Sequence, residues 1–151
     1  MTPAPPSSPA PPSAGYLAQR KVRFGDCDPA GIVYFPRYFE MLNGVIEDWW
    51  QDIGLSWATV LPQRDIVTPV SHLEAQFLRP SRHGDHLDIV LTIEALTRSS
   101  IRLALRASGA DPSDERLRAR ARMVCVSTIS RSPQAWPQDI RDTLAARRPP
   151  R

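Results

Sequence analysis

Only one stretch of this chain carries a helical repeat of any length, and every patterned stretch after it alternates with period two. Phe35, Tyr38, Phe39, Leu42, Ile46, Trp49, Trp50 and Ile53 fall at steps of three and four, while Arg37, Glu40, Asn43, Glu47, Asp48, Gln51 and Asp52 take the other side. The spacing predicts one helix of about five turns. Pro36 stands near its first position, where a missing N–H removes nothing the helix uses, and Gly54 is placed to stop it. The interior Gly44 costs about 1 kcal/mol against Ala. It reads as a point where another backbone or a ligand passes close.

The strands are read by parity. Before the helix, Ala18, Val22 and Phe24 oppose Gln19, Lys21 and Arg23, a short half-buried strand. After it, Leu73, Ala75 and Phe77 share a face within Val70–Leu78, and Leu87, Ile89, Leu91, Ile93 and Ala95 share one within His86–Leu96. Ile101, Leu103, Leu105 and Ala107 then oppose Arg102 and Arg106, and Leu117, Ala119, Ala121, Met123 and Cys125 oppose Arg118, Arg120 and Arg122. The connections between these four are short and rich in Gly, Pro, Ser and Asp, which suits antiparallel neighbours. The class is therefore α+β, a curved antiparallel sheet of about five strands wrapped on one long central helix. One helix cannot cover both faces of such a sheet, so a face and the sheet edges are left for a second subunit. A dimer is expected.

Composition sets the limits of the domain. Residues 1–15 are nearly all Pro, Ala, Ser and Thr and read as a disordered tail, residues 16–140 as the folded domain, and residues 141–151 as a flexible basic tail. With 42% hydrophobic and 23% charged residues in a chain of 151, a single domain with a real core is expected, and the four tryptophans belong in that core or at an interface. The net charge of +3 is low for a nucleic-acid binder, while the arginine excess suits a small phosphorylated ligand. No apolar run approaches the ~20 residues needed to span a bilayer, and no signal peptide is evident, so no membrane partner and a cytoplasmic location are expected. Cys27 and Cys125 then read as free thiols.

Chemistry concentrates between the first strand and the helix, in Gly25-Asp26-Cys27-Asp28-Pro29-Ala30-Gly31-Ile32-Val33-Tyr34-Phe35-Pro36. Two carboxylates lie beside a helix N-terminus, whose unpaired N–H groups and partial positive charge suit a carbonyl oxygen that gains negative charge. That pairing is half of a hydrolase. Asp26 reads as the structural partner that bonds loop N–H groups. Cys27, flanked by negative charge, has its thiolate suppressed and makes a poor nucleophile. Glu40 and Glu47, on the polar side of the helix, read as solvated charges. His83 and His86, with Asp85 between them, fall in a turn with no fourth ligand, so no metal site is expected. His72, on the opposite parity from Leu73 and Phe77, lines a pocket or an interface. The stripes Arg98, Arg102, Arg106, Arg118, Arg120 and Arg122 read as a solvated strand face, a subset of which is available to phosphate.

The run Phe24-Gly25-Asp26-Cys27-Asp28-Pro29-Ala30-Gly31-Ile32-Val33-Tyr34-Phe35-Pro36-Arg37-Tyr38 closely resembles the signature of hot-dog-fold acyl-CoA thioesterases of the 4-hydroxybenzoyl-CoA thioesterase type. The order of strand, long helix and four strands is similar to the hot-dog fold as well. The resemblance implies a homodimer, often paired into a homotetramer, with active sites at the subunit interface. It implies an acyl-CoA substrate and no cofactor. It makes Asp28, directly before Pro-Ala-Gly, the catalytic carboxylate, and gives the carbonyl-polarising N–H to Tyr34 or Phe35. Gly31 and Tyr38 within the run, with His72, are candidate substrate contacts. Arg98 and Ser99 match more weakly the positions that meet the CoA nucleotide.

Aromatic-acyl members have Trp-Tyr-Pro-Asn-Tyr where this chain has Tyr34-Phe35-Pro36-Arg37-Tyr38, a departure that bears on the acyl group. The expected activity is hydrolysis of an acyl-CoA, with a benzoyl-type acyl group preferred. The alternatives are a short-chain aliphatic acyl-CoA or acyl-carrier-protein thioesterase, or a non-catalytic acyl-thioester binding module. A dehydratase of the same fold wants a His near the helix start, and none lies there.

Overall fold

The structure, a computed structural model, describes residues 15–149, so the Pro-rich tail read over residues 1–15 lies outside the described residues except at Gly15. The elements run β1 (Tyr16–Lys21), a 3-10 turn (Phe24–Asp26), α1 (Phe35–Asp52), α2 (Val60–Gln63), β2 (Ile66–Val67), β3 (Val70–Phe77), β4 (His86–Leu96), β5 (Ser100–Ser108), β6 (Glu115–Val124), β7 (Val126–Ser127) and α3 (Gln138–Ala146). Five strands form one antiparallel sheet in the order β1-β4-β5-β6-β3, and β2 pairs with β7 separately. This is the antiparallel sheet with one long helix expected from the order of periodicities, and it agrees with the hot-dog fold that the resemblance implies.

The core forms where the apolar parities of the strands meet α1. Leu87, Ile89, Leu91 and Ile93 of β4 and Ile101, Leu103, Leu105 and Ala107 of β5 are buried, as are Tyr38, Leu42, Val45, Ile46, Trp49 and Trp50 of α1. Trp50 is fully buried and its ring lies 6.2 Å from that of Trp136. Gly54 adopts φ +82, the left-handed conformation that ends a helix at little cost only in glycine.

Three expectations are corrected. The first strand stops at Lys21 instead of running to Phe24, because the Asp26 carboxylate accepts the Arg23 N–H (2.8 Å) and draws the chain into a 3-10 turn. Phe24 is thereby left 81% exposed rather than facing the core. At Gly44 no other backbone passes close among the described residues. A Cβ built there would meet only the Arg20 guanidinium, at 3.7 Å, which reaches on to Asp48. Residues 141–146 are not a flexible tail either. They complete α3, whose Ile140 and Leu144, one turn apart, are fully buried, while Asp139 holds Arg64 through two hydrogen bonds of 2.8 Å.

β3 differs from the other strands. It lies at one edge of the sheet and none of its residues is buried. Val70, Leu73, Phe77 and Leu78 keep 44–48% of their surface exposed, and Leu73, Ala75 and Phe77 continue the core face beyond the edge of α1 through their pairing with Ala121, Ala119 and Leu117.

Candidate active site

The β1–α1 connection is held by its own backbone. Pro29 follows Asp28 with its φ preset for a turn, the Gly31 N–H closes that turn on the Asp28 carbonyl (2.9 Å), and the Asp28 N–H donates to the Ile32 carbonyl (2.9 Å). The Ala30 N–H donates to Asp28 Oδ1 at 2.9 Å, which fixes the carboxylate. Gly31 has φ +79, and a Cβ built there meets nothing within 4 Å. Conformation, not crowding, calls for glycine here. Asp26 has the structural role read for it: its side chain holds Arg23, and its carbonyl accepts the Tyr34 N–H at 2.8 Å.

That last bond separates the two candidate donors at the helix start. The Tyr34 N–H is occupied by the Asp26 carbonyl, Pro36 has none, and the Arg37 N–H bonds the Tyr34 carbonyl at 2.8 Å. The Phe35 N–H has no acceptor among the described residues. An unpaired donor, among the described residues, therefore stands at the positive end of α1, in the same connection as Asp28. Around it gather aromatic rings, of which Tyr34, Phe35 and Phe77 are exposed: Tyr34 on Phe35 at 5.7 Å, and Phe77 against Phe35, Tyr38 and Phe39 at 6.2, 5.8 and 6.2 Å.

Tyr38 contributes a ring edge but not a hydroxyl. It is 5% exposed, its hydroxyl donates to Ser81 Oγ at 2.8 Å, and burial pushes its pKa up. Cys27 is half-buried with Sγ 3.7 Å from the Arg23 carbonyl, whereas Cys125 is fully buried and its thiol is pushed up by burial. Glu40 pairs with Arg37 on the exposed side of α1, and Glu47 is likewise exposed.

The remaining candidates lie elsewhere in the chain. Phe77, Leu117, Ala107 and Ile89 form a cross-strand row toward the Asp28 end of the sheet, and Val70, Met123, Ile101 and Leu96 form one toward the other end. Arg98 and Ser99 follow Leu96 in the β4–β5 turn, about 30 Å along β4 from the Lys21–His86 pair that precedes the Asp28 connection. His72, exposed and 3.9 Å from Glu74, is about 17 Å along β3 from Phe77. A single chain thus brings together Asp28, Gly31 and Phe35 and leaves His72, Arg98 and Ser99 apart from them. Four of the six outward arginines have partners within the chain: Arg106 and Arg118 share Glu115, Arg120 meets Glu94 and Glu74, and Arg122 meets Ser71.

The family model described as the thioesterase-like superfamily matches residues 22–144. The chain belongs to that superfamily. A 1,4-dihydroxy-2-naphthoyl-CoA hydrolase of Acaryochloris marina is 32% identical over 123 residues, covering 80% of this chain and 89% of that protein. Among solved structures, a 1,4-dihydroxy-2-naphthoyl-CoA thioesterase from Synechocystis superposes with TM-score 0.79 at 26% identity, over 87% of this chain and 96% of that one. The 4-hydroxybenzoyl-CoA thioesterase from Pseudomonas sp. strain CBS-3 superposes with TM-score 0.78 at 28% identity, over 87% and 99%. The thioesterase-like assignment agrees with the Phe24–Tyr38 signature and with the fold that carries it.

Two residues packed behind the β1–α1 connection, Ser81 and Arg116, carried no signal in the sequence. Ala107 pairs with Leu117 and Ser108 with Glu115, so Arg116 is an extra residue in β6, a bulge that takes it out of the stripe formed by Arg118, Arg120 and Arg122. A parity count has no means of finding it.

Proposed function

We propose that this acyl-CoA thioesterase acts on an aromatic acyl-CoA, with Asp28 working at the thioester carbon and the Phe35 N–H receiving the carbonyl oxygen. The observation that carries the reading is the Phe35 N–H at the start of α1, without an acceptor among the described residues and held in the same connection as a carboxylate whose orientation its own turn fixes. As the carbonyl carbon becomes tetrahedral, its oxygen gains charge, and a preorganised donor there contributes ~10²–10³ in rate. Asp28 supports two routes. It attacks the carbonyl itself, forming a mixed anhydride and expelling CoA thiolate before water cleaves the anhydride, or it takes a proton from an attacking water.

The preference for an aromatic acyl group is supported by the rings of Tyr34, Phe35, Phe39 and Phe77 around the helix start and by relatives named for naphthoyl and hydroxybenzoyl thioesters. Edge-to-face contacts of this kind contribute about 0.5–1.5 kcal/mol each beyond burial.

The reading includes a homodimer built by pairing two β3 edges. An unpaired edge with four half-exposed apolar side chains is a surface that a second strand satisfies. Antiparallel pairing about a two-fold axis sets the Phe77 end of one β3 beside the Val70 end of the other. The Asp28 end of one subunit then lies at the same end of the joined sheet as His72, Arg98 and Ser99 of the other, which no single chain achieves. Arg98 and Ser99 take the CoA nucleotide in this arrangement. A cytoplasmic location, compatible with two free thiols, belongs to the same reading.

The test is release of CoA thiol from benzoyl, hydroxybenzoyl, dihydroxynaphthoyl, phenylacetyl and aliphatic CoA thioesters, run beside Asp28→Asn. Turnover of an aromatic member is expected, falling at least 10²-fold in the variant. Unchanged turnover in Asp28→Asn overturns the role of the carboxylate, and a preference for aliphatic members overturns the acyl group.

A further inference from the structure

We propose that Arg116 is a positioning residue for thioester hydrolysis: through Ser81 it holds the segment that carries both the Asp28 turn and the Phe35 N–H. The inference rests on the thioesterase reading above and concerns a group remote from the reacting atoms.

Ser81, in the β3–β4 connection, is fully buried and is met from three sides. Its carbonyl accepts the Val33 N–H at 2.9 Å, and its Oγ accepts the Tyr38 hydroxyl at 2.8 Å and Arg116 Nη1 at 3.1 Å. Next to it, Arg82 bridges Ile32 in antiparallel fashion. Ile32 and Val33 are the short extended piece between the Asp28 turn and the start of α1, and Ile32 is also the acceptor for the Asp28 N–H. Whatever fixes Ser81 and Arg82 therefore fixes the spacing between the carboxylate and the helix-start donor.

Arg116 does that fixing. Nη1 also donates to the Pro80 carbonyl at 3.2 Å and to Asp85 Oδ2 at 2.8 Å, and Asp85 Oδ2 in turn accepts the Arg82 N–H at 3.0 Å. The other edge of the guanidinium meets Asp114 in a two-point fork, Nε to Oδ1 at 3.0 Å and Nη2 to Oδ2 at 2.6 Å. With its side chain only 13% exposed, Arg116 spans Asp114 in the β5–β6 turn and Pro80, Ser81 and Asp85 of the β3–β4 connection. A planar guanidinium can serve both sets at once. A lysine ammonium, a single point on a flexible stem, cannot. The hydrogen bonds to Arg116 also hold the carboxyls of Asp85 and Asp114 below the ordinary aspartate range, so both are charged partners at neutral pH.

No contact of Arg116 reaches the exposed mouth at Tyr34 and Phe35, so its loss acts on geometry and leaves substrate contacts in place. A displacement of about 1 Å between reacting groups costs up to ~10² in rate. Arg116→Met is therefore expected to lower kcat by about 10- to 100-fold with KM within about twofold, and Arg116→Lys to fall between it and wild type.

The experiment is a kinetic double-mutant cycle of Arg116→Met and Ser81→Ala on the best aromatic acyl-CoA. It is accompanied by the rate of Cys27 alkylation by iodoacetamide, since Cys27 adjoins Asp28 and reports loosening of the connection independently of turnover. Non-additive losses in kcat and faster Cys27 alkylation in both single variants are expected. Wild-type kcat in a folded Arg116→Met protein, or additive losses with unchanged Cys27 reactivity, overturns the positioning role. Should Arg116→Met fail to fold, Ser81→Ala decides: it keeps the ion pairs of Arg116 and removes the Ser81 Oγ that Arg116 and the Tyr38 hydroxyl both meet, and unchanged kcat in it is equally fatal. Inactive wild-type protein on every thioester would instead overturn the reading of the reaction, a distinct result.

Discussion

Gly31 offers the cleanest place to separate backbone conformation from packing in this site. Its φ is +79, and a Cβ placed on it would contact nothing of the chain within 4 Å, so the effect of a substitution there on stability comes through the backbone. For an L-residue the left-handed conformation costs about 1–2 kcal/mol, somewhat less for asparagine and more for a β-branched residue. The predicted order of stability is therefore Gly31 wild type, then Gly31→Asn, Gly31→Ala and Gly31→Val, with the alanine variant losing about 2–8 °C in Tm. The route by which strain relaxes sets the catalytic effect. Moving φ toward negative values pulls the residue 31 N–H from the Asp28 carbonyl and disturbs the Ala30 N–H that holds Asp28 Oδ1. Turnover should follow the same order, with Gly31→Ala down about 10- to 100-fold. The checks are denaturant midpoints at one fixed protomer concentration and thiol release on the same preparations. A Gly31→Ala protein with wild-type midpoint and turnover, or a Gly31→Asn protein as damaged as Gly31→Val, would refute the conformational reasoning.

Two further outcomes follow from the edges of the molecule. Leu73→Glu introduces a charge into the exposed apolar strip of β3, and sedimentation should show monomers whose thioesterase activity is lost although Asp28 is intact; a persistent dimer would exclude the β3 edge as the interface. Glu115, whose ordinary value is 4.5, is held down to about 2 by Arg118 and Arg106. A lowered folded-state pKa contributes stability that is present above about pH 4.5 and is lost as pH falls toward about 2. Glu115→Gln should flatten that acid limb in low salt, and because its partners Arg106 and Arg118 are exposed the difference should shrink in high salt. Equal slopes for both proteins in low salt would show that the pairing contributes nothing.

Much of this fold was legible without coordinates because its signals are local. The 3.6-residue repeat from Phe35 to Ile53 and the period-two stretches each depend on residues a few positions apart, and Gly54 and Pro36 mark helix ends by their own backbone chemistry. The same holds for Asp28 and Gly31, whose turn is closed by bonds within four residues. α3 escaped notice because its apolar signal is only Ile140 and Leu144 among charged neighbours, and its helix is held by burial against the core and by Arg64, which is 75 residues away from Asp139.

What the tertiary structure alone decided are the choices between chemically equivalent groups. Tyr34 and Phe35 each have a backbone N–H, and only the bond from Tyr34 to the Asp26 carbonyl leaves Phe35 as the available donor. Tyr38 has a phenol in either setting, and only Ser81, 43 residues on, turns it inward. Arg116 differs from Arg118, Arg120 and Arg122 by one bulge in register. Sequence determines which residues have the capacity to donate, accept or pack, since that is a property of each side chain and its near neighbours. Strand pairing determines which partners they meet, because cross-strand register joins residues that are far apart along the chain and a shift of one position reverses the face each side chain takes.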